Sequence, residues 1–315
     1  MNEWKHAVLE SPGDGAVEEE IWILGQPSLG EYLEFVKDSV VGGAGVRPAE
    51  LAAGWRAANL YYQKLEDSES GIADEAELCA LDPSLETLAE EAKADPSIRS
   101  AFNTMPTEFG MVELDKLIMC QKSVTGTFVD SLKARLGSAP DLAALFHFCL
   151  PLGTPDTPVH ARQVGSKRFV FRTDSVDLRF HSAELLRPGQ ISDFVSFGPI
   201  AGVVGLVVGF GSNFLNVIRA DRRLLLHNGY HRACALRSLG ITHAPCLIQT
   251  VTSGDELAVT AKSNVAKNPD FYFRSARPPL LKDFFDPKIR QALPVHKQQR
   301  MIEVNFEVRE FLVRE

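Results

Sequence analysis

Residues 224–240 constrain the fold of this chain more than any other stretch. An apolar run, Leu224-Leu225-Leu226, leads through His227-Asn228-Gly229 into Tyr230-His231-Arg232 and a helical segment that closes at Gly240. The order is strand, glycine turn, helix. Such a turn aims the first N–H groups of the helix, and the positive end of its dipole, at whatever lies above it. The small residues Ala233 and Ala235 let that helix approach a sheet closely, and Gly240 suits the left-handed position that ends a helix. Arg232 offers a fork that fits phosphate. His231, with an ordinary pKa of about 6.5, is suited to be a phosphate donor or a general acid. The turn therefore reads as an anion site in which Asn228, Gly229, Tyr230, His231 and Arg232 bind and His231 and Arg232 act catalytically.

A second loop, Gly209-Phe210-Gly211-Ser212-Asn213, precedes the motif strand. Its backbone N–H groups can cradle phosphate, which makes Gly209, Gly211, Ser212 and Asn213 further candidates; a tight turn between strands explains the same residues. No metal site is expected, because His227 and His231 straddle the turn and no neighbouring set completes a shell with His243. The five cysteines, Cys79, Cys120, Cys149, Cys234 and Cys246, form no closely spaced pair and read as buried or incidental thiols.

The chain is 315 residues long, 45% hydrophobic and 23% charged, enough for two domains. Residues 1–150 hold 11 Lys and Arg against 26 Asp and Glu, whereas residues 151–315 hold 22 against 15. Either the halves meet different partners or they present complementary faces to each other. The first 20 residues read as a mobile or loosely docked lead-in. Ser28 with Glu31 predicts a helix start, Pro48 another, and Asp82-Pro83 and Asp95-Pro96 two more. Helical patterns return at 128–135 and 142–150. Three prolines within residues 151–158 mark a domain junction. Beyond it, strands are expected at 169–171, 176–180, 201–210, 214–219, 223–226 and 244–251, with helices at 231–239 and 255–265. Ile302, Val304, Phe306 and Val308 alternate with polar residues and predict a terminal strand. That strand can cover its own sheet or pair between chains in a homodimer.

The succession of a strand, Asn228-Gly229-Tyr230-His231-Arg232, a helix, Gly240, Pro245 and a returning strand resembles the ParB/sulfiredoxin superfamily, whose members carry a Gly-x-His-Arg or Gly-x-Arg-Arg turn. The resemblance covers residues 214–251 well and 165–213 loosely. Together with the helix and strand signals above, the reading is an α+β chain: an acidic, mainly helical domain at 1–150, about which the resemblance says nothing, a mixed-sheet ParB/sulfiredoxin-like α/β domain at 159–275, and a C-terminal extension at 276–315 bearing the terminal strand. The resemblance implies a nucleotide over the turn, with Gly229, His231 and Arg232 on the phosphates and ATP or another nucleotide with Mg²⁺ as the cofactor. Tyr230 stands where sulfiredoxins have their catalytic cysteine, and Asn228 where related serine kinases have an acidic residue.

The function expected on these grounds is ATP-dependent phosphoryl transfer or hydrolysis acting on a small molecule. The alternatives are a nucleotide-switched regulator or clamp on DNA, and a non-catalytic accessory or scaffold protein. DNA is the less favoured partner, since the basic residues are scattered apart from Arg219, Arg222 and Arg223. No run approaches the roughly 18 apolar residues of a membrane span, and the N-terminus lacks the pattern of a secretory signal, so a cytoplasmic location without membrane contact is expected.

Overall fold

The computed structural model describes residues 16–26, 28–153, 158–175, 177–191 and 198–314. Helices and mixed sheets combine in an α+β architecture. The chain forms two compact units, one built from residues up to Leu152 together with Asn213–Lys297, the other from Gly153–Ser212 with the segment from Gln298 onward.

The first unit holds strands β1 (Val17–Ile23), β2 (Leu78–Ala80), β3 (Thr107–Glu113), β4 (Ile118–Met119) and β5 (Ser123–Thr125). Among them run helices α1 (Leu29–Ser39), α2 (Pro48–Ser68), α3 (Glu86–Ala94), α4 (Pro96–Ala101), α5 (Gly126–Leu136) and α6 (Leu142–Cys149). The second unit contributes β6 (His160–Gly165), β7 (Arg168–Thr173), β8 (Leu178–Leu186) and β9 (Val203–Phe210). The chain then returns to the first unit with β10 (Asn216–Ala220), β11 (Arg223–Asn228), α7 (Tyr230–Ser238) and β12 (His243–Val251). Short helices α8 (Gly254–Thr260), α9 (Ser263–Lys267) and α10 (Pro269–Phe273) precede β13 (Arg290–His296), and β14 (Arg300–Asn305) lies in the second unit.

Local signals explain many of these elements. Ser28 accepts the Glu31 N–H at the start of α1. Pro48 opens α2, where its missing N–H costs nothing. Asp82 and Asp95 each accept the N–H two residues on, from Ser84 and Ser97. At the end of α7, Gly240 adopts φ +79°. The Ile241 N–H there returns to the Leu236 carbonyl at 3.1 Å, satisfying a carbonyl that the helix itself cannot.

The expectation of three consecutive domains does not hold. In the six-stranded sheet, ordered β2-β3-β12-β10-β11-β4, strands from the first 120 residues flank the motif strands. β3 runs antiparallel to β12 with Gly110 opposite Cys246, and β4 lies parallel to β11 with Ile118 opposite Leu225. Each would otherwise leave an apolar strand edge open, which is why the acidic first half is not a separate helical domain. The junction expected at 151–158 does fall at a unit boundary, although residues 154–157 lie outside the described residues. The core of this sheet is fully buried at Ile118, Val217, Leu225, Leu236, Cys246 and Leu247.

One further expectation changes. The acidic run Glu18-Glu19-Glu20 belongs to β1, the middle strand of a sheet ordered β13-β1-β5; its backbone pairs with β13 throughout and with β5 at Glu20. The carboxylates at the end of β3 are each spent on a basic partner. β3 ends at Glu113, which bridges to Lys116, while Asp115 pairs with Arg237 at 2.9 Å.

In the second unit, β14 adds to β7 in a sheet ordered β14-β7-β6, with Ile302 opposite Phe171. The terminal strand thus covers a sheet of its own unit, and it stops at Asn305, short of Phe306 and Val308. β8 and β9 form a separate two-stranded ribbon; Val176 lies outside the described residues. Among the described residues, no helix is long and apolar enough to cross a membrane.

Candidate functional site

The α7 N-terminus is set by close packing. Gly229 adopts φ +86°, and a Cβ there would meet the Leu215 Cα at 2.8 Å. Only glycine both tolerates this conformation and lets the turn touch the backbone leading into β10. Asn228 folds its side chain back so that Oδ1 accepts the Gly229 N–H at 2.9 Å. Gly229, as the cap residue, has no side chain to accept from the first turn of the helix.

Three side chains of that first turn diverge. Tyr230 is buried, and its hydroxyl is hydrogen-bonded to the Cys120 thiol at 2.7 Å, just past β4. Lys262 lies over the Tyr230 ring, 4.7 Å from the centroid, with Nζ 3.5 Å from the hydroxyl. It reaches there because the helix expected at 255–265 is broken, with Ala261 and Lys262 extended between α8 and α9. Burial pushes up both the Tyr230 phenol and the Cys120 thiol, so both stay protonated near neutral pH. His227, at the end of β11, drops to about 4 through burial and the Lys262 charge, and its Nδ1 is buried without a hydrogen-bond partner.

His231 turns toward β5. The Thr125 N–H donates to His231 Nε2 at 3.1 Å, and the ring meets Phe128 edge-on at 5.1 Å. Burial, with Arg232 adjacent, drops its pKa to about 4. The imidazole is therefore neutral and already spent as an acceptor, so it does not stand ready as the acid the sequence offers. Beside it, the Thr125 hydroxyl donates to Glu20 at 2.9 Å, and burial raises the Glu20 carboxyl despite hydrogen bonds from Ser123 and Thr125.

Arg232 turns into the protein and is 7% exposed. Nε donates to the Phe148 carbonyl at 2.6 Å and Nη1 to Asn213 Oδ1 at 2.8 Å, and the guanidinium lies 5.6 Å from the centre of the Phe148 ring. Both acceptors are neutral. Among the described residues no carboxylate pairs with it, and burial lowers its pKa to about 10.

Of the predicted residues, Asn213 and residues 228–232 stand together in the first unit, whereas Gly209, Gly211 and Ser212 belong to the second. Within that unit Gly211 sits under Arg179, whose Cζ would be 2.8 Å from a Cβ there, and Arg179 pairs with Asp177. The turn at 228–232 is thus built with neighbours of its own unit: Cys120, Glu20, Thr125 and Lys262. None of these carries a motif. Lys262 was hidden inside a helical pattern and Glu20 inside an acidic run.

The arrangement gathers positive potential. A helix N-terminus without a capping side chain, Lys262 on one side and a guanidinium without a counter-ion on the other favour an anion. His243, the third histidine of the sequence pattern, lies apart, paired with Glu77. No family model, curated protein or solved structure matches this chain.

Proposed function

We propose that this chain binds the phosphates of a nucleotide at the N-terminus of α7, in a ParB/sulfiredoxin-like setting, and uses ATP for phosphoryl transfer to, or hydrolysis on, a small molecule. The observation that carries the reading is Arg232: a buried guanidinium held only by neutral acceptors in the first turn of a helix. A buried charge without a counter-ion costs several kcal/mol, and a bound anion relieves that cost. Lys262 contacts the phosphates from the solvent side, while Arg232 keeps the first turn positive from beneath. Phosphoryl transfer depends mostly on positioning and charge stabilisation, which these groups supply. Glu20, with its raised carboxyl, takes the role of base that His231 cannot fill. Mg²⁺ arrives with the phosphates.

The test is calorimetric titration of ATP, ADP and CTP with Mg²⁺ against the wild type, Lys262→Met and Arg232→Met. Lys262 is exposed and rests on the Tyr230 ring, where methionine keeps an apolar contact and removes the charge. Binding weakened by Lys262→Met, followed by phosphate release with a screened acceptor, supports the proposal. A second reading, a non-catalytic accessory protein, is favoured by the way Asn228 and His231 spend their side chains on protein partners. Absence of binding by the wild type to all three nucleotides decides for it.

A further inference from the structure

The face of α7 that carries Cys234, Arg237 and Ser238 borders a groove of about 360 Å³ between α5, β1, β5 and the start of β13. It does not include the anion-binding turn. Its lining exposes more polar than apolar surface; Ile21, Val124, Val129, Cys234 and Phe284 are its apolar members. Gly126 opens it on one side: a Cβ there would stand 2.7 Å from Glu19 Oε1 and 3.3 Å from Ile21 Cδ1. The volume is that of a small-molecule site.

The charges at its edge are sorted along β1. Glu19 and Ile21 lie on one face of the sheet, because alternate residues of a strand share a face. Arg290 lies directly across from Ile23 on the same face, whereas Glu19 lies across from Pro294. Glu19 and Arg290 therefore bracket Ile21 at opposite ends of the groove, four residues of strand or about 13 Å apart. The other charges of the lining are neutralised by ion pairs. Asp130 is paired with Lys133 at 3.2 Å. Arg237, stacked 4.2 Å from the Phe285 ring near the start of β13, is paired with Asp115. Glu19 and Arg290 are left as the two charges without an ion pair among the described residues.

We propose that this groove binds a short zwitterionic ligand, a di- or tripeptide, with its ammonium at Glu19 and its carboxylate at Arg290. An extended peptide spans roughly 3.5 Å per residue, so two or three residues plus a hydrogen bond at each end match the roughly 13 Å of strand between these two positions. A simple fatty acid satisfies only Arg290, and an amine only Glu19.

The experiment is calorimetric titration of the peptides Ala-Leu and Ala-Leu-Ala, and of their N-acetylated and C-amidated forms, against the wild type, Glu19→Gln and Arg290→Gln. Both positions are exposed, and the blocked peptides change nothing in the protein, so folding is not at stake. The expected result is saturable binding of a free peptide, weakened about threefold to tenfold by acetylation or by Glu19→Gln, and similarly by amidation or by Arg290→Gln. Each substitution should make the protein insensitive to the matching block. No saturable binding of either free peptide, or binding indifferent to the blocks and substitutions, overturns the proposal. Nucleotide binding at α7 stands or falls separately.

Discussion

The backbone N–H of Thr125 donates to His231 Nε2 at 3.1 Å, so the imidazole spends its lone pair on joining β5 to α7. Accepting this bond requires the neutral ring, and burial enforces it, with the pKa down to about 4. His227, two residues before Gly229, is held down to the same value.

The pair makes stability depend on pH in one direction. Between pH 6.5 and 4 the unfolded chain takes up protons that the folded protein refuses, so the stability these rings contribute is complete above 6.5 and is lost as pH falls toward 4. At about 1.4 kcal/mol per pKa unit, each ring contributes at most about 3.5 kcal/mol across that window. Urea midpoints measured from pH 7.5 to 4.5 should fall steadily, and His231→Gln, which keeps an acceptor but cannot titrate, should flatten the slope. A midpoint that does not change over this range contradicts the assignment.

Gly229→Ala should be worse than Gly240→Ala, although both glycines have positive φ. A left-handed alanine costs about 1–2 kcal/mol by itself, and a Cβ at 240 meets nothing within 4 Å. At 229 it meets the Leu215 backbone at 2.8 Å, so packing adds to the strain. Thermal melts of the two variants side by side measure the difference; equal losses would mean that the turn relaxes away from β10.

The buried pair Arg277 and Asp283 joins through two hydrogen bonds of 2.9 and 2.6 Å, with Glu69 on the far side of the guanidinium. Asp283→Ala leaves that cation unpaired on its buried side and should cost about 3–5 kcal/mol. Replacing both partners, with Arg277→Met and Asp283→Leu, should recover much of the loss. Chemical denaturation of the single and double variants tests this, and a double variant no better than the single one argues against it.

A fragment of residues 159–275 should not fold alone. It would strip β12 of β3 and β11 of β4, leaving both sides of the remaining strands open. Circular dichroism and a urea titration of the fragment provide the check, and a cooperative transition would mean that the flanking strands are dispensable.

What the sequence revealed is whatever neighbouring residues decide among themselves. Ser28, Asp82 and Asp95 cap the helices they were expected to start, and the order of β11, Gly229, α7, Gly240 and β12 follows from the run of residue types. These signals act over two to four residues, so no tertiary context is needed to see them. The break at Ala261 and Lys262 was not legible, because both residues are acceptable in a helix and only the packing of Lys262 over Tyr230 distinguishes the outcome.

The sequence by itself determined the strand, turn and helix around Asn228-Gly229-Tyr230-His231-Arg232, since glycine conformation, caps and apolar period are local properties. Tertiary structure alone decided what each side chain there does. Tyr230 meets Cys120 across 110 residues, His231 meets Thr125 across 106, and Arg232 meets Phe148 across 84. Such contacts are fixed by which strand lies beside which. Strand order arises from burying apolar edges over the whole chain, and no short stretch of sequence records it.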